Sequence, residues 1–223
     1  MIEINEVFSD SDKRLAWWCE NVVDTNDLAA MADDIIKNDI HLISVPHEIL
    51  SLMWAYLEKS NVKILTRFIF APKQKNSDVE IYDLAANIKS ACKKGANGIQ
   101  IFLKMRDFEG FIEKISAVRN DLFFEHDLCL VMDIEDLDVN NFEIMFQKLQ
   151  DVRANALVLT LNEDTKNRSD FVGRVYGMLH AWNMDGELHL ILNNNLDRMD
   201  QVIRLVESEK PELNEKLRFF LNY

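Results

Sequence analysis

A lysine at the carboxyl end of a strand, held in an apolar mouth, can have its pKa lowered and attack a carbonyl carbon as a Schiff-base nucleophile. Lys104, which ends the run GIQIFLK, has that setting. Its plainer reading is a solvated loop lysine, because the amine changes its pKa only when it is desolvated. Asp133 and Glu135 stand two residues apart in VMDIED. On an extended strand both carboxylates project to one face, where they can divide general acid and base work or hold a metal. The alternative is an acidic turn in a chain that is acidic everywhere. His47, after Ser44-Val45-Pro46, suits proton transfer at another strand end. Lys104, Asp133 and His47 are therefore the candidate catalytic set. Asp24, Arg67, Glu135, Thr160, Asn162, Asn193 and Asn194 are the polar residues at other strand ends that can hold a substrate, although asparagines are also ordinary turn formers.

Several chemistries have no support. The five histidines fit no HExxH or HxH spacing, and Cys19, Cys92 and Cys129 form no CxxC pair, so no metal is expected. No GxGxxG or phosphate-cradling glycine loop is present, and no cofactor is expected. No GxSxG or Cys/His pairing points to a serine or thiol hydrolase.

These residues fall at the ends of short, nearly continuous apolar runs: His41 to His47, Val62 to Phe70, Gly98 to Lys104, Leu128 to Asp136, Ala156 to Asp164, Glu187 to Asn195 and the closing KLRFFLNY. Runs without polar alternation suit parallel strands covered on both faces. Segments with helical spacing lie between them, at Glu48 to Ser60, Asp78 to Lys94, Asp107 to Asn120, Asn141 to Arg153 and Met199 to Glu209. In the first of these Ile49, Leu52, Met53, Tyr56 and Leu57 form the expected apolar stripe. The alternation predicts an α/β fold. Val22 to Thr25 (VVDT), after a helix over Asp12 to Asn21, supplies the eighth strand needed to close a (β/α)8 TIM barrel; without it the sheet stays open and doubly wound. Residues 1–223 read as one such domain, because no linker or repeat divides them. With KLRFFLNY as the last run, the expectation is a barrel that lacks the usual last outer helix, its place covered by the N-terminal helix, another subunit or water.

With 38 acidic and 25 basic residues the net charge is -13, which disfavours nucleic acid and anionic membrane as partners. No apolar stretch is long enough to span a bilayer, the N-terminus lacks a signal-peptide pattern, and the three unpaired cysteines suit a reducing cytoplasm. A small-molecule ligand and a second copy of the chain, as a homodimer, are the partners this reading admits.

The order of landmarks resembles deoxyribose-phosphate aldolase and its relatives, class I aldolases built on this barrel. Val23-Asp24-Thr25 is similar to that family's opening strand, ISVPHEIL to its second strand and ILTRFIFAP to its third. KKGANGIQIFLK, LCLVMDIEDL and NALVLTLNED are similar to the fourth, fifth and sixth. The resemblance implies a barrel with a Schiff-base lysine on strand six and a second, pKa-lowering lysine on strand seven. The first falls at Val158 or Leu159 and the second at His189 or Leu190, so both lysines are lost. Gln100 replaces the fourth strand's aspartate, Cys129 the fifth strand's lysine, and asparagines the Gly-Gly phosphate turn after strand seven; Asp133 alone keeps a carboxylate. The resemblance thus implies the fold and argues against the activity. Two functions fit it. One is an aldolase-like barrel that binds a small metabolite or a protein partner; the other is a lyase acting on a small carbonyl, sugar-phosphate-like substrate through a relocated lysine, Lys104.

Overall fold

The computed structural model describes residues 13–19, 25–70, 78–122, 126–161 and 168–223. Eight parallel strands close into a barrel in chain order: β1 Leu15–Trp18, β2 Leu42–Pro46, β3 Lys63–Ile69, β4 Gly98–Phe102, β5 Asp127–Asp133, β6 Ala156–Thr160, β7 Glu187–Ile191 and β8 Leu217–Asn222. Strand β8 closes onto β1, with Leu15 opposite Phe219 and Trp18 opposite Asn222. Around the barrel run α1 Thr25–Lys37, α2 Leu50–Leu57, α3 Asp78–Lys93, α4 Phe108–Leu122, α5 Phe142–Asp151, α6 Arg168–Ala181 and α7 Leu196–Glu209. No helix of the described residues is long and apolar enough to cross a membrane.

The lack of polar alternation in the strands has its reason here, since both faces of each strand are covered. In β5, Leu128, Leu130 and Met132 pack against the helices, while Cys129 and Val131 belong to a separate cluster inside the barrel. That inner cluster also contains Ala16, Trp18, Leu65, Val158, Ile191 and Phe220. Side-chain volume thus fills the lumen as a core rather than leaving a pore.

The first strand is LAWW, not VVDT. Leu15 and Trp18 stand three apart, a spacing that mimics a helical stripe, and four residues are too few for periodicity to separate helix from strand. Pairing to both β2 and β8 settles it. The helix expected over Asp12 to Asn21 is therefore replaced by strand at Leu15–Trp18, while Asp12, Glu20 and Asn21 lie outside the described residues. Thr25 opens α1, and Val22 to Asp24 lie outside the described residues. Giving VVDT to a strand also hid the stripe of α1, in which Leu28, Met31, Ala32 and Ile35 are buried at helical spacing. The α2 stripe is displaced from the expected one: Leu50, Met53 and Leu57 are buried, whereas Leu52 and Tyr56 are exposed. The turn after Pro46 starts the helix at Leu50 and rotates its inner face accordingly.

Two asparagines fasten the amino ends of the strands in the same way. Asn97, before β4, accepts from the Ile64 amide through its side chain (2.8 Å) and donates its own amide to the Ile64 carbonyl (2.8 Å). Asn155, before β6, does the same to Leu128 at 2.9 and 2.7 Å. Each side-chain amide thus extends the sheet by one peptide-like pair. Arg119 of α4 reaches the second of these points and donates to the carbonyls of Val152 and Arg153 (2.9 Å each) and to Asn155 Oδ1 (3.3 Å). Its residue surface is only 8% exposed. Replacing Arg119 with leucine strands these buried acceptors, and chemical denaturation should show a loss of about 3 kcal/mol.

Candidate functional site

The carboxyl ends of the strands form the barrel mouth, and an aromatic layer floors it. Trp18 meets Phe102 and Phe220 edge-on, at ring-centre distances of 5.8 and 5.9 Å. The Arg67 guanidinium lies over the Trp18 ring, 4.0 Å from its centre, and donates to the Cys19 carbonyl. Alternation within β4 does what the strand pattern predicts: Gln100 and Phe102 turn inward, and Ile101 and Leu103 join the helix-side core. Gln100 accepts from Ser44 Oγ at 2.5 Å.

Two depressions flank Phe102 and Ile69. One, of about 590 Å³, is bordered by His47, Glu48, Arg67, Phe68 and Trp18. The other, of about 470 Å³, is bordered by Lys104, Asp107, Asp133, Asp136 and Thr160. The candidate catalytic set is therefore divided, with Lys104 and Asp133 on one side and His47 on the other. Lys104 follows the end of β4 in extended conformation and is exposed. His47 is also largely exposed, stacks on Phe68 at 5.5 Å and lies 3.3 Å from Glu48.

Asp133 and Glu135 do not share a strand face. Strand β5 ends at Asp133, and Ile134–Asp136 is a 3₁₀ turn whose first free amide, that of Glu135, donates to Asp133 Oδ1 at 2.9 Å. A short carboxylate accepts such a bond readily, and the strand ends two residues short of Glu135, too early for the pair to form. Burial raises the Asp133 pKa from the ordinary carboxylate value; the Glu135 amide opposes this, and the charges of Glu135 and Asp136 add to it. Thr160 is the register partner of Asp133 and borders the same depression. Asn193 and Asn194 adopt left-handed backbone, with φ of 49° and 57°, which asparagine tolerates better than most residues. Asn193 donates to the Leu161 carbonyl (3.3 Å), and Asn194 accepts from the Asn222 amide (2.8 Å). Both therefore tie strand ends together. Asp24 and Asn162 lie outside the described residues. Among the described residues no three His, Cys, Asp or Glu side chains gather as a metal would need.

Of the two positions at which the resemblance set each lost lysine, one faces the lumen. Val158 lies in the inner cluster and Leu159 in the outer one. His189 is the register partner of Val158, and Leu190 faces the helices.

At the opposite, amino end lies a charged group that reading the strand ends did not select. Glu187 Oε2 accepts from His189 Nε2 and Glu187 Oε1 from Arg218, both at 2.8 Å. The signal was present as charged residues two before an inward position, in Lys63-Ile64-Leu65, Asp127-Leu128-Cys129 and Glu187-Leu188-His189. Burial would raise the Glu187 carboxyl, but the hydrogen bond from His189 and the charges of His189, Arg218 and Lys63 outweigh it and hold the pKa below 4.5. Burial lowers His189 below 6.5 against the pull of Glu187. In both cases the unfolded chain binds more protons, so stability rises with pH. Denaturation midpoints should fall as the solution is acidified through pH 6.5, and again below 4.5, with His189→Gln removing the first step.

No family model matches the chain, and no curated protein is similar to it. Solved structures share its fold. An aldolase, QR15, superposes with a TM-score of 0.64 at 11% identity, covering 99% of this chain and 92% of that one. The tetrameric deoxyribose phosphate aldolase of Aeropyrum pernix gives 0.67 at 10% identity, with 96% and 87% covered. The carboxyl transferase domain of Rhizobium etli pyruvate carboxylase gives 0.62 at 9% identity, with 96% and 40% covered. At such identities the likeness is one of fold alone: the chain is a (β/α)8 barrel, the architecture that these solved structures share.

Proposed function

We propose that this aldolase-like barrel has lost Schiff-base catalysis and binds a small metabolite at its mouth without turning it over. The observation that carries the reading is the division of the mouth by Phe102 and Ile69, which sets Lys104 and Asp133 apart from His47 and Arg67. Carbinolamine chemistry needs a deprotonated amine and a proton-transfer group on one reacting carbon. Exposed Lys104 keeps its hydration, and interior Val158 carries no amine. The depression beside Arg67 is the better ligand seat: a guanidinium held over an indole offers charge to an anion, and Phe68, Phe102 and Ile69 offer apolar wall. His47 and Glu48 border it as polar contacts. Asn193 and Asn194 serve here as turn residues that hold the mouth in shape.

A second reading has one observation in its favour. Lys104, Asp133 and Thr160 share a depression, and the raised Asp133 carboxyl suits a proton carrier, so a lyase acting on a small carbonyl compound through Lys104 is the alternative. Glu135 and Asp24 would then be supporting groups.

Borohydride trapping with dihydroxyacetone phosphate and glyceraldehyde, followed by peptide mapping, separates the two. No adduct at Lys104 is expected, together with calorimetric binding weakened about tenfold by Arg67→Ala. An adduct at Lys104 would establish the lyase instead. Exposed Leu52 and Tyr56, four apart on α2, keep a homodimer within the proposal, and light scattering reads the mass directly. A cytoplasmic location is part of the proposal too, resting on the free thiols of Cys19, Cys92 and Cys129.

A further inference from the structure

Below the lumen core the barrel holds a cavity of about 400 Å³ that opens at the amino ends of the strands. Its inner wall is apolar carbon from Leu42, Leu65 and Ala156, and its rim carries Lys13 and Lys63. His189 lines it with a side chain only 3% exposed, and His189 Nδ1 is buried without a hydrogen-bond partner. The unmatched nitrogen has a definite chemical sense. Nε2 lies 2.8 Å from a Glu187 carboxylate that also receives Arg218, so Nε2 carries the proton and Nδ1 presents a lone pair. A buried acceptor left unmatched is a cost to the fold, and a donor supplied by a ligand recovers it.

The charges around the opening favour one sign of ligand. Both Glu187 oxygens are engaged, by His189 and by Arg218. Asp127 faces Lys63 at 3.5 Å, a long contact that leaves a largely exposed ammonium able to turn toward a second anion. Lys13 adds a further positive charge on the same rim. We infer that the amino-end cavity is a binding site for a small hydroxylated organic anion, whose hydroxyl donates to His189 Nδ1 while its carboxylate or phosphate meets Lys63 and Lys13. The carbon skeleton between them rests on Leu42, Leu65 and Ala156. The site is independent of the mouth, from which the Trp18, Phe102 and Phe220 layer separates it.

NMR titration of the whole chain with tartrate and with glycerol 1-phosphate, each against succinate as the anion without a hydroxyl, tests the inference. Backbone amides of Lys63, Ala156 and His189 should shift at millimolar ligand. The hydroxylated anions should bind at least about fivefold more tightly than succinate, as one added hydrogen bond requires. Lys63→Ala, at an exposed position that leaves the fold intact, should weaken every anion about fivefold or more. His189→Gln should erase the preference for a hydroxyl, with the dispersed amide spectrum as the check on folding. Unperturbed amides with all three anions overturn the site. Equal binding of succinate and tartrate overturns the role of His189. Shifts confined to Arg67, His47 and their neighbours would place anion binding at the mouth alone. The shifts of Lys63, Ala156 and His189 should persist in Arg67→Ala whatever happens at the mouth, so the two sites stand or fall separately.

Discussion

Replacing Trp18 by alanine is expected to lower stability by about 3–5 kcal/mol, the usual cost of removing a large aromatic side chain from a core. In a chain of 223 residues this corresponds to a melting temperature lower by roughly 10 °C, measurable by calorimetry. Trp18 is 6% exposed and packs edge-on against two phenylalanines, so its loss leaves a void that neighbours on different strands cannot close. Arg67 loses the ring beneath its guanidinium in the same step. Ligand affinity at the mouth should therefore fall together with stability. A variant that kept full stability would mean that the lumen is not packed through this residue.

Installing lysine at Val158 is the second large perturbation. Val158 is fully buried between Val131 and His189 in the sheet register. An ammonium there loses its hydration, and a buried lysine responds with a pKa lowered by roughly 3 units, which at neutral pH is about 4 kcal/mol of lost stability. The folded amine binds fewer protons than the unfolded one. The deficit is therefore complete below the folded pKa and shrinks as pH rises toward the free value of about 10.4. Urea denaturation at pH 7 and pH 10 should show a larger loss at the lower pH. A loss of under about 1 kcal/mol at both would mean that water already reaches this part of the lumen. The consequence for chemistry is direct: a lumen built around an aliphatic residue does not acquire a working amine through one substitution.

Much of the architecture was legible because its cause is local. Both-face burial removes polar alternation, so seven of the eight strands showed themselves as apolar runs; the one missed, Leu15–Trp18, is short and has helix-like spacing. The displaced stripe of α2 has a similar origin, since a helix's inner face depends on the residue at which it starts. The polar residues at strand ends were also legible, but their grouping was not. Asp133 and Glu135 look paired in one dimension and are parted by a turn that the Asp133 carboxylate itself stabilises. The resemblance left each lost lysine between two neighbouring positions, and only side-chain direction within the closed sheet selects Val158 and His189.

By itself the sequence determined that strands and helices alternate, that the strands are covered on both faces, and that no lysine stands on strands six and seven. These follow from residue type and period. Tertiary structure alone decided which strand comes first, that Phe102 and Ile69 part Lys104 from His47, and that Lys63, Glu187, His189 and Arg218 meet at the amino end. The physical reason is common to all three. Barrel closure joins residues about two hundred positions apart, as Leu15 and Phe219 are, and fixes each side chain's direction through register, which no local pattern encodes.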